Sequence, residues 1–460
     1  MNRSLGLGLL VIPLVACTQA PQGSDAGTSA TETGAADGSD ESDEQQATYT
    51  YWRDAKAVLD HKCANCHVDG EIAPFSLSTY EQVAAVAPIL PYSIEQGIMP
   101  PWPPGEGCNE YRHSRALDEA ERELLLTWLD EGAPEGDPAD EPAPADDDEP
   151  APEFHADLTL QMLEPYTPTQ SPDDYRCFVI PWDGPKPWVT GFRVVPDQRS
   201  IVHHVIAFAI DPAQAAIVDN LDANEEGPGY TCFGDPGLQD ARWLGSWAPG
   251  GAAMVFPEGT GSRLEPGSRV VMQVHYNTSA AGPVADQSAI ELSLADAVER
   301  PLITTPATKI GWVLGSDPMI IPAGDPEVTH ATEIDLRSGY WATRVAGTGV
   351  APGEDLVLHT LGLHMHQLGV RGRISIIRAN GEQDCALEIP AWDFGWQNGY
   401  QLVEPIRIAP GDKVGLQCWW DNSAENQPII DGEKVEPIDV AWGEGTRDEM
   451  CLAILSVTRP

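Results

Sequence analysis

From about residue 157 to the C-terminus, apolar and polar positions alternate in short runs. "SRVVMQVHYN" (268–277), "GRISIIRA" (372–379) and "MCLAILSV" (450–457) are examples, divided by Pro-Gly and Gly-Asp turns such as "EPGSR" and "APGDK". A period of two over four to eight residues, broken by turn chemistry, predicts β-strands with one face buried. About 300 such residues suffice for two β-sandwiches, at 157–300 and 301–460. Residues 49–137 read differently. Trp52, Ala55, Val58 and Leu59 recur at helical spacing, and "LDEAERELLLTWLDEG" (117–132) opens with Asp118 and Glu121 as a capping pair. It presents Leu117, Leu124 and Trp128 on one face and stops at Gly132.

Between these regions, residues 138–156 are Pro-rich and acidic, which predicts an extended linker. Residues 18–48 are mostly Ser, Thr, Gly, Asp and Gln, with no Lys or Arg and no apolar side chain larger than proline, which predicts a flexible tether. Ahead of them, Arg3, an apolar run from Leu5 to Val15, and Leu14-Val15-Ala16-Cys17 form an export signal too short to span a bilayer. Leu-Val-Ala-Cys is similar to the bacterial lipobox, so residues 1–17 are expected to be removed up to Cys17, which then carries lipid. That places the chain in the cell envelope, facing the periplasm or the cell surface, held to the membrane by the anchor alone. Export also implies an oxidising environment in which disulfides persist.

Charge narrows the field further. With 71 acidic against 26 basic residues, a net charge of −45, the chain lacks the clustered Lys and Arg that phosphate neutralisation requires. Nucleic acid is excluded as a partner.

Two kinds of chemistry stand out. The first is "HKCANCHVDG", where Cys63, Cys66 and His67 form the Cys-x-x-Cys-His pattern of c-type haem attachment. Two thioethers would anchor the porphyrin and His67 would be one axial ligand. A second axial ligand is expected from Met99 in the stiff segment "GIMPPWPPG", with His113 the rival. With the flanking helices, this predicts a small all-α, cytochrome c-like domain over 49–137.

The second kind is histidine in apolar strands. His203 and His204 are adjacent in "RSIVHHVIAF"; both reach one metal only if the strand bulges or ends there, or if the rings use different nitrogens. His275 ends an alternating run, and His364 and His366 sit at i, i+2, on one face of a strand. Unpaired imidazoles in such runs would cost free energy. Met450, in "GTRDEMCLAIL", adds a thioether, and thioether with imidazole is a copper donor set rather than one for calcium or magnesium.

His-His, "QVHY", His-x-His and "DEMC", in that order over about 157–460, resemble the ascorbate-dependent type 2 copper monooxygenases, the family of dopamine β-monooxygenase and peptidylglycine α-hydroxylating monooxygenase. The resemblance implies two tandem jelly-roll sandwiches with one copper each. His203, His204 and His275 would hold the electron-supplying copper; His364, His366 and Met450 would hold the copper where O2 and substrate meet. It also implies disulfides Cys177–Cys232 and Cys418–Cys451, leaving Cys108 and Cys385 unassigned. The expected class is thus multidomain, an all-α cytochrome c-like domain followed by all-β jelly rolls. The chain departs from the family at Gly362, Leu452 and Ile454, where the peptide-amidating member has its Arg, Asn and Tyr anchors for a glycine-extended peptide. The expected activity is hydroxylation of a C–H bond of a small substrate other than peptidyl-glycine. It would use O2 and two electrons from an external reductant, ascorbate or another, with the haem as relay from a periplasmic donor. The competing expectation is a non-catalytic copper-binding electron carrier. His155, His330 and His359 receive no role.

Overall fold

The computed structural model describes residues 48–64, 66–68, 73–143, 154–171, 173–238, 241–247, 251, 253–278, 281–430, 433–443, 445 and 447–460. Cys17, the expected signal and nearly all of the tether lie outside the described residues, as does most of the expected linker.

A nine-stranded antiparallel sheet runs through the protein. Its order is Gly399–Ile408, Leu356–His364, Leu452–Thr458, Ile303–Ala307, Arg242–Trp247, Val202–Ile210, Arg269–Asn277, Asp173–Pro181 and Tyr230–Thr231. Chain from both halves of the β region contributes, and the halves meet where Thr304 pairs with Trp243. A six-stranded sheet that includes Trp188–Val195 and Ala289–Ala295 covers one half, closing a core of Phe192, Leu292, Val205 and Val274. A four-stranded sheet of Val328–Ile334, Lys413–Trp420, Gly369–Ile377 and Gln383–Ile389 covers the other half over Leu358, Leu361, Leu455, Ile374 and Trp420. The turns fall where Pro-Gly and Gly-Asp place them: Gly267 and Gly411 sit at φ 90° and 94°, left-handed values that favour glycine.

Arg269–Asn277 forms the expected strand but is buried on both faces rather than on one. Val270, Met272 and Val274 enter the core under the six-stranded sheet, while Val271 faces a smaller cluster with Val179, Phe208 and Val218 of the helix Ala215–Ala223. Both faces are covered, so the run is apolar almost throughout.

The expected fold class does not hold. The protein is mainly β with few, short helices, and Ala47–Pro460 form one compact unit. The sandwiches share a sheet rather than standing in tandem. The helical region contains Tyr51–Ala55, Lys56–Lys62, Tyr80–Val86, Leu90–Glu95 and Glu119–Asp130, the last capped by Asp118 and Glu121. These helices bury Tyr51, Leu59, Val83, Leu125 and Trp128 among themselves. The chain between them does not stay with them, so no separate all-α, cytochrome c-like domain is formed among the described residues. Gly105 N–H donates to Glu388 O at 2.8 Å, Arg112 N–H to Gln401 O at 2.8 Å, and Val403 N–H to Glu110 O at 3.0 Å. Tyr111 bridges Leu402 and enters the core under the four-stranded sheet. The physical reason is the proline content of 100–104: it forbids a helix, and the extended chain covers the outer strands Gln383–Ile389 and Gly399–Ile408.

Among the described residues three disulfides are present: Cys177–Cys232, Cys418–Cys451 and Cys108–Cys385. The last, joining residues 277 apart, resolves the pair the sequence left unassigned and fastens the 105–112 segment to Gln383–Ile389. A chain with this many disulfides belongs in an extracellular or periplasmic compartment.

Candidate metal centres

His203 and His204 lie in Val202–Ile210, which pairs with Arg269–Asn277, the strand of His275. The register passes from Val202↔Tyr276 to His204↔His275, so one residue is extra at His203. That bulge meets the condition set by two adjacent imidazoles: it turns both rings to one side. The three Nδ1 atoms form a near-equilateral triangle: 3.4 Å from His203 to His204, 3.1 Å from His203 to His275, and 3.3 Å from His275 to His204. A point equidistant from such a triangle lies about 1.9 Å from each nitrogen, close to a metal–imidazole bond.

The second nitrogen of His275 is accounted for. Its Nε2–H donates to Asp173 Oδ1 at 2.9 Å, which leaves Nδ1 bare. Asn277 Nδ2 donates to the same oxygen at 3.1 Å, and the Tyr175 ring stacks on His275 with centroids 4.1 Å apart. Burial, foremost, and the neighbouring His275 lower His203 to about 4, with Asp173 opposing; burial also pushes His204 well down. Neutral imidazoles whose Nδ1 atoms converge cannot satisfy one another, since at most one hydrogen would point inward in any productive arrangement. A cation resolves the conflict, and the residues fit one. A three-histidine metal site is therefore present.

The second cluster uses the other ring nitrogen. His364 closes the strand Leu356–His364, and its Nδ1–H donates to Gln397 Oε1 at 2.5 Å. Gln397 Nε2 donates to Phe394 O at 2.9 Å, which fixes the amide orientation. His366 Nδ1–H donates to Asp448 O at 2.9 Å. Both rings thus present a bare Nε2, and their centroids are 5.1 Å apart. Burial, then the neighbouring His366, lower His364 to about 3, and burial lowers His366.

Glu449 organises the chain around this pair. The residue is completely buried. Its carboxylate accepts from Leu368 N–H at 2.7 Å, His366 N–H at 2.9 Å and Trp420 Nε1–H at 2.9 Å. Burial pushes its carboxyl up to about 7 while these donors pull the other way. Cys418–Cys451 fixes the chain directly beyond Met450 to the strand Lys413–Trp420.

Met450 is buried and lines the same cavity as His364 and His366. His204 of the first cluster lines it too. The cavity is about 410 Å³, and its other walls include Phe233, Trp243, Trp341, Phe394, Trp442 and Leu452. The charge on a protonated His364 would reach His204, another mark of the closeness of the two clusters. Gly362 pairs with Gly399 and Ile454, and a Cβ there would meet Asn398 O at 3.1 Å, so backbone occupies the space a larger side chain would need.

Three positioning residues escaped the sequence reading: Asp173, Gln397 and Glu449. Glu449 had a usable signal, a carboxylate beside Met450 at the mouth of an apolar strand. Asp173 and Gln397 had none, because their partners lie 102 and 33 residues away.

In the helical region, His67 is buried, and its Nδ1–H donates to Phe75 O at 3.0 Å, which leaves Nε2 available. Cys63 and Cys66 keep their thiols while six other cysteines are in disulfides. Burial pushes the Cys63 thiol up to about 12. Met99 is half-buried and His113 exposed. His359 is buried against Thr458 Oγ1 at 2.9 Å, and His330 donates to Ile320 O at 2.8 Å, so both have structural partners.

No protein-family model matches the chain. Over 257 residues it is 22% identical to MOXD1 homolog 2 of Drosophila melanogaster, covering 52% of this chain and 32% of that protein. The match therefore spans about a third of that relative's length. Among solved structures, the major capsid protein P2 of bacteriophage PM2 covers 66% of this chain and 97% of its own at 6% identity and a TM-score of 0.26. Oxalate decarboxylase of Bacillus subtilis covers 67% and 78% at 8% identity and a TM-score of 0.12. Neither overlays well enough to place the fold.

Proposed function

We propose that the chain is an exported copper-dependent monooxygenase that hydroxylates a C–H bond of a small substrate. The net reaction is R–H + O2 + 2 e⁻ + 2 H⁺ → R–OH + H2O, with the electrons drawn from ascorbate or another reductant. One observation carries the proposal: a cluster with converging Nδ1 atoms and a cluster with bare Nε2 atoms beside a thioether both border one cavity. The similarity to MOXD1 homolog 2 supports the same family.

His203, His204 and His275 would hold one copper; His364, His366 and Met450 would hold the other and act as the catalytic ligands. Bound copper supplies one-electron redox chemistry and activation of O2. The chain's residues set the conditions for it. Asp173 and Gln397 hold one ring of each cluster in a single tautomer, so the ligand nitrogen is always bare. Glu449 clamps the turn that bears His366, and the apolar walls hold substrate and exclude water. A copper carrier would have no use for two unlike clusters on a cavity of substrate size.

Within the same proposal, Cys63 and Cys66 attach a c-type haem, with His67 and Met99 as axial ligands, and Cys17 carries the lipid. Haem would supply reversible one-electron storage, relaying electrons from a periplasmic donor. The test is metal analysis and EPR before and after ascorbate, with oxygen uptake. Two coppers with distinct signals, one haem and substrate-dependent O2 consumption are expected. A single copper class without O2 consumption would defeat the proposal.

A further inference from the structure

The cavity between the clusters also carries information about what enters it. This inference rests on the monooxygenase reading only in taking the cavity as the place where substrate meets His364, His366 and Met450. Among the described residues, no Lys or Arg lines it. An anionic group would find no Lys or Arg side chain to pair with there, and the chain's net charge of −45 opposes its approach. The lining acid is Asp235, and it is committed to its own turn: Oδ1 accepts Gly237 N–H at 2.7 Å. Burial raises its carboxyl, so Asp235 is a poor partner for an ammonium as well.

The rim agrees with the interior. Val313, Leu314 and Tyr340 line the cavity and are 40%, 72% and 43% exposed. Large apolar side chains left in water around an apolar cavity mark an entrance for apolar molecules.

We infer that the substrate is an uncharged, predominantly apolar molecule, aromatic or aliphatic, admitted past Val313, Leu314 and Tyr340. Neither a carboxylate nor an ammonium group is part of what the cavity recognises. Phe233, Trp243, Trp442 and Leu452 supply contact area, and the reacting carbon is positioned by shape rather than by an ion pair.

Three probes of similar size separate the possibilities: ethylbenzene, phenylacetate and 2-phenylethylammonium, titrated calorimetrically into the copper-loaded full chain. Ethylbenzene should bind at least tenfold more tightly than either ion. An ion that binds as well as ethylbenzene overturns the inference, as does failure of all three to bind. Leu314→Arg, at an exposed position that tolerates charge, should raise phenylacetate affinity at least tenfold; no change would mean that binding occurs elsewhere, and the inference falls. Oxygen uptake distinguishes this inference from the larger proposal. Discrimination against both ions without O2 consumption keeps the ligand class and removes the monooxygenase.

Discussion

Glu449→Gln probes the second cluster through a group that would touch neither metal nor substrate. The carboxylate accepts Leu368 N–H on one oxygen and His366 N–H and Trp420 Nε1–H on the other. A glutamine must aim its NH2 at one of these sides. The cheaper choice faces Leu368, turning one good bond into two opposed donors, which costs about 1–3 kcal/mol for an unsatisfied buried group. The two remaining bonds lose their charge assistance, roughly another 1 kcal/mol each. Together these cost about 3–5 kcal/mol, and relief of the buried charge, which the rise of the carboxyl from 4.5 to about 7 reports, offsets about 3 kcal/mol of it at pH 8, leaving a net loss of about 0–2 kcal/mol. Urea unfolding at pH 8, above the value near 7 to which burial pushes this carboxyl, measures it with the wild-type group ionised. Copper titration on the same variant adds a spatial test. Affinity at His364, His366 and Met450 should fall at least tenfold, because His366 and Leu368 bracket the released turn, while the three-histidine cluster keeps its affinity. A stability loss above about 3 kcal/mol, or equal weakening of both clusters, refutes the reasoning.

Two further outcomes follow from the polar contacts. Asp173→Ala releases His275 Nε2, and copper affinity at the three-histidine cluster should fall about 10- to 100-fold in a chelator competition, with the second cluster unchanged. His359 is held near 4, chiefly by burial and secondarily by Arg300, below its usual 6.5. A depressed histidine favours the folded state above 6.5, and that contribution disappears as pH falls from 6.5 to 4, because the unfolded chain takes the proton first. The contribution is about 3 kcal/mol, and His359→Gln should flatten that part of the stability-versus-pH curve relative to wild type.

What was legible in the sequence had a local cause. Adjacent His203 and His204 asked for a bulge, a strand end or different ring nitrogens, and the register skips there. Asp118 and Glu121 marked a helix start, and the capping box is present. The short apolar runs bounded by turn residues, such as 269–277 and 452–458, lie in strands where the pattern put them. What was illegible depended on distant chain. Nothing near Cys108 points to Cys385, and nothing near Asp173 announces His275. The fold class failed for the same reason: the prolines of 100–104 show that a helix stops, but not that the following residues seek two strand edges far along the chain. The shared nine-stranded sheet hangs on one pairing, Thr304 with Trp243, that no periodicity encodes.

That edge-covering segment also bears on how the protein could be dissected. Residues 105–112 do not act as a leash between independent modules; they are a seam stitched into the β body by Cys108–Cys385 and by Tyr111. A shortened version begun at residue 157 would strip two margins of their hydrogen-bonding neighbour and pull an aromatic plug from the interior, leaving surfaces that invite chains to zip together. The sheet-forming region of the polypeptide depends for two of its covered edges on the chain that precedes it.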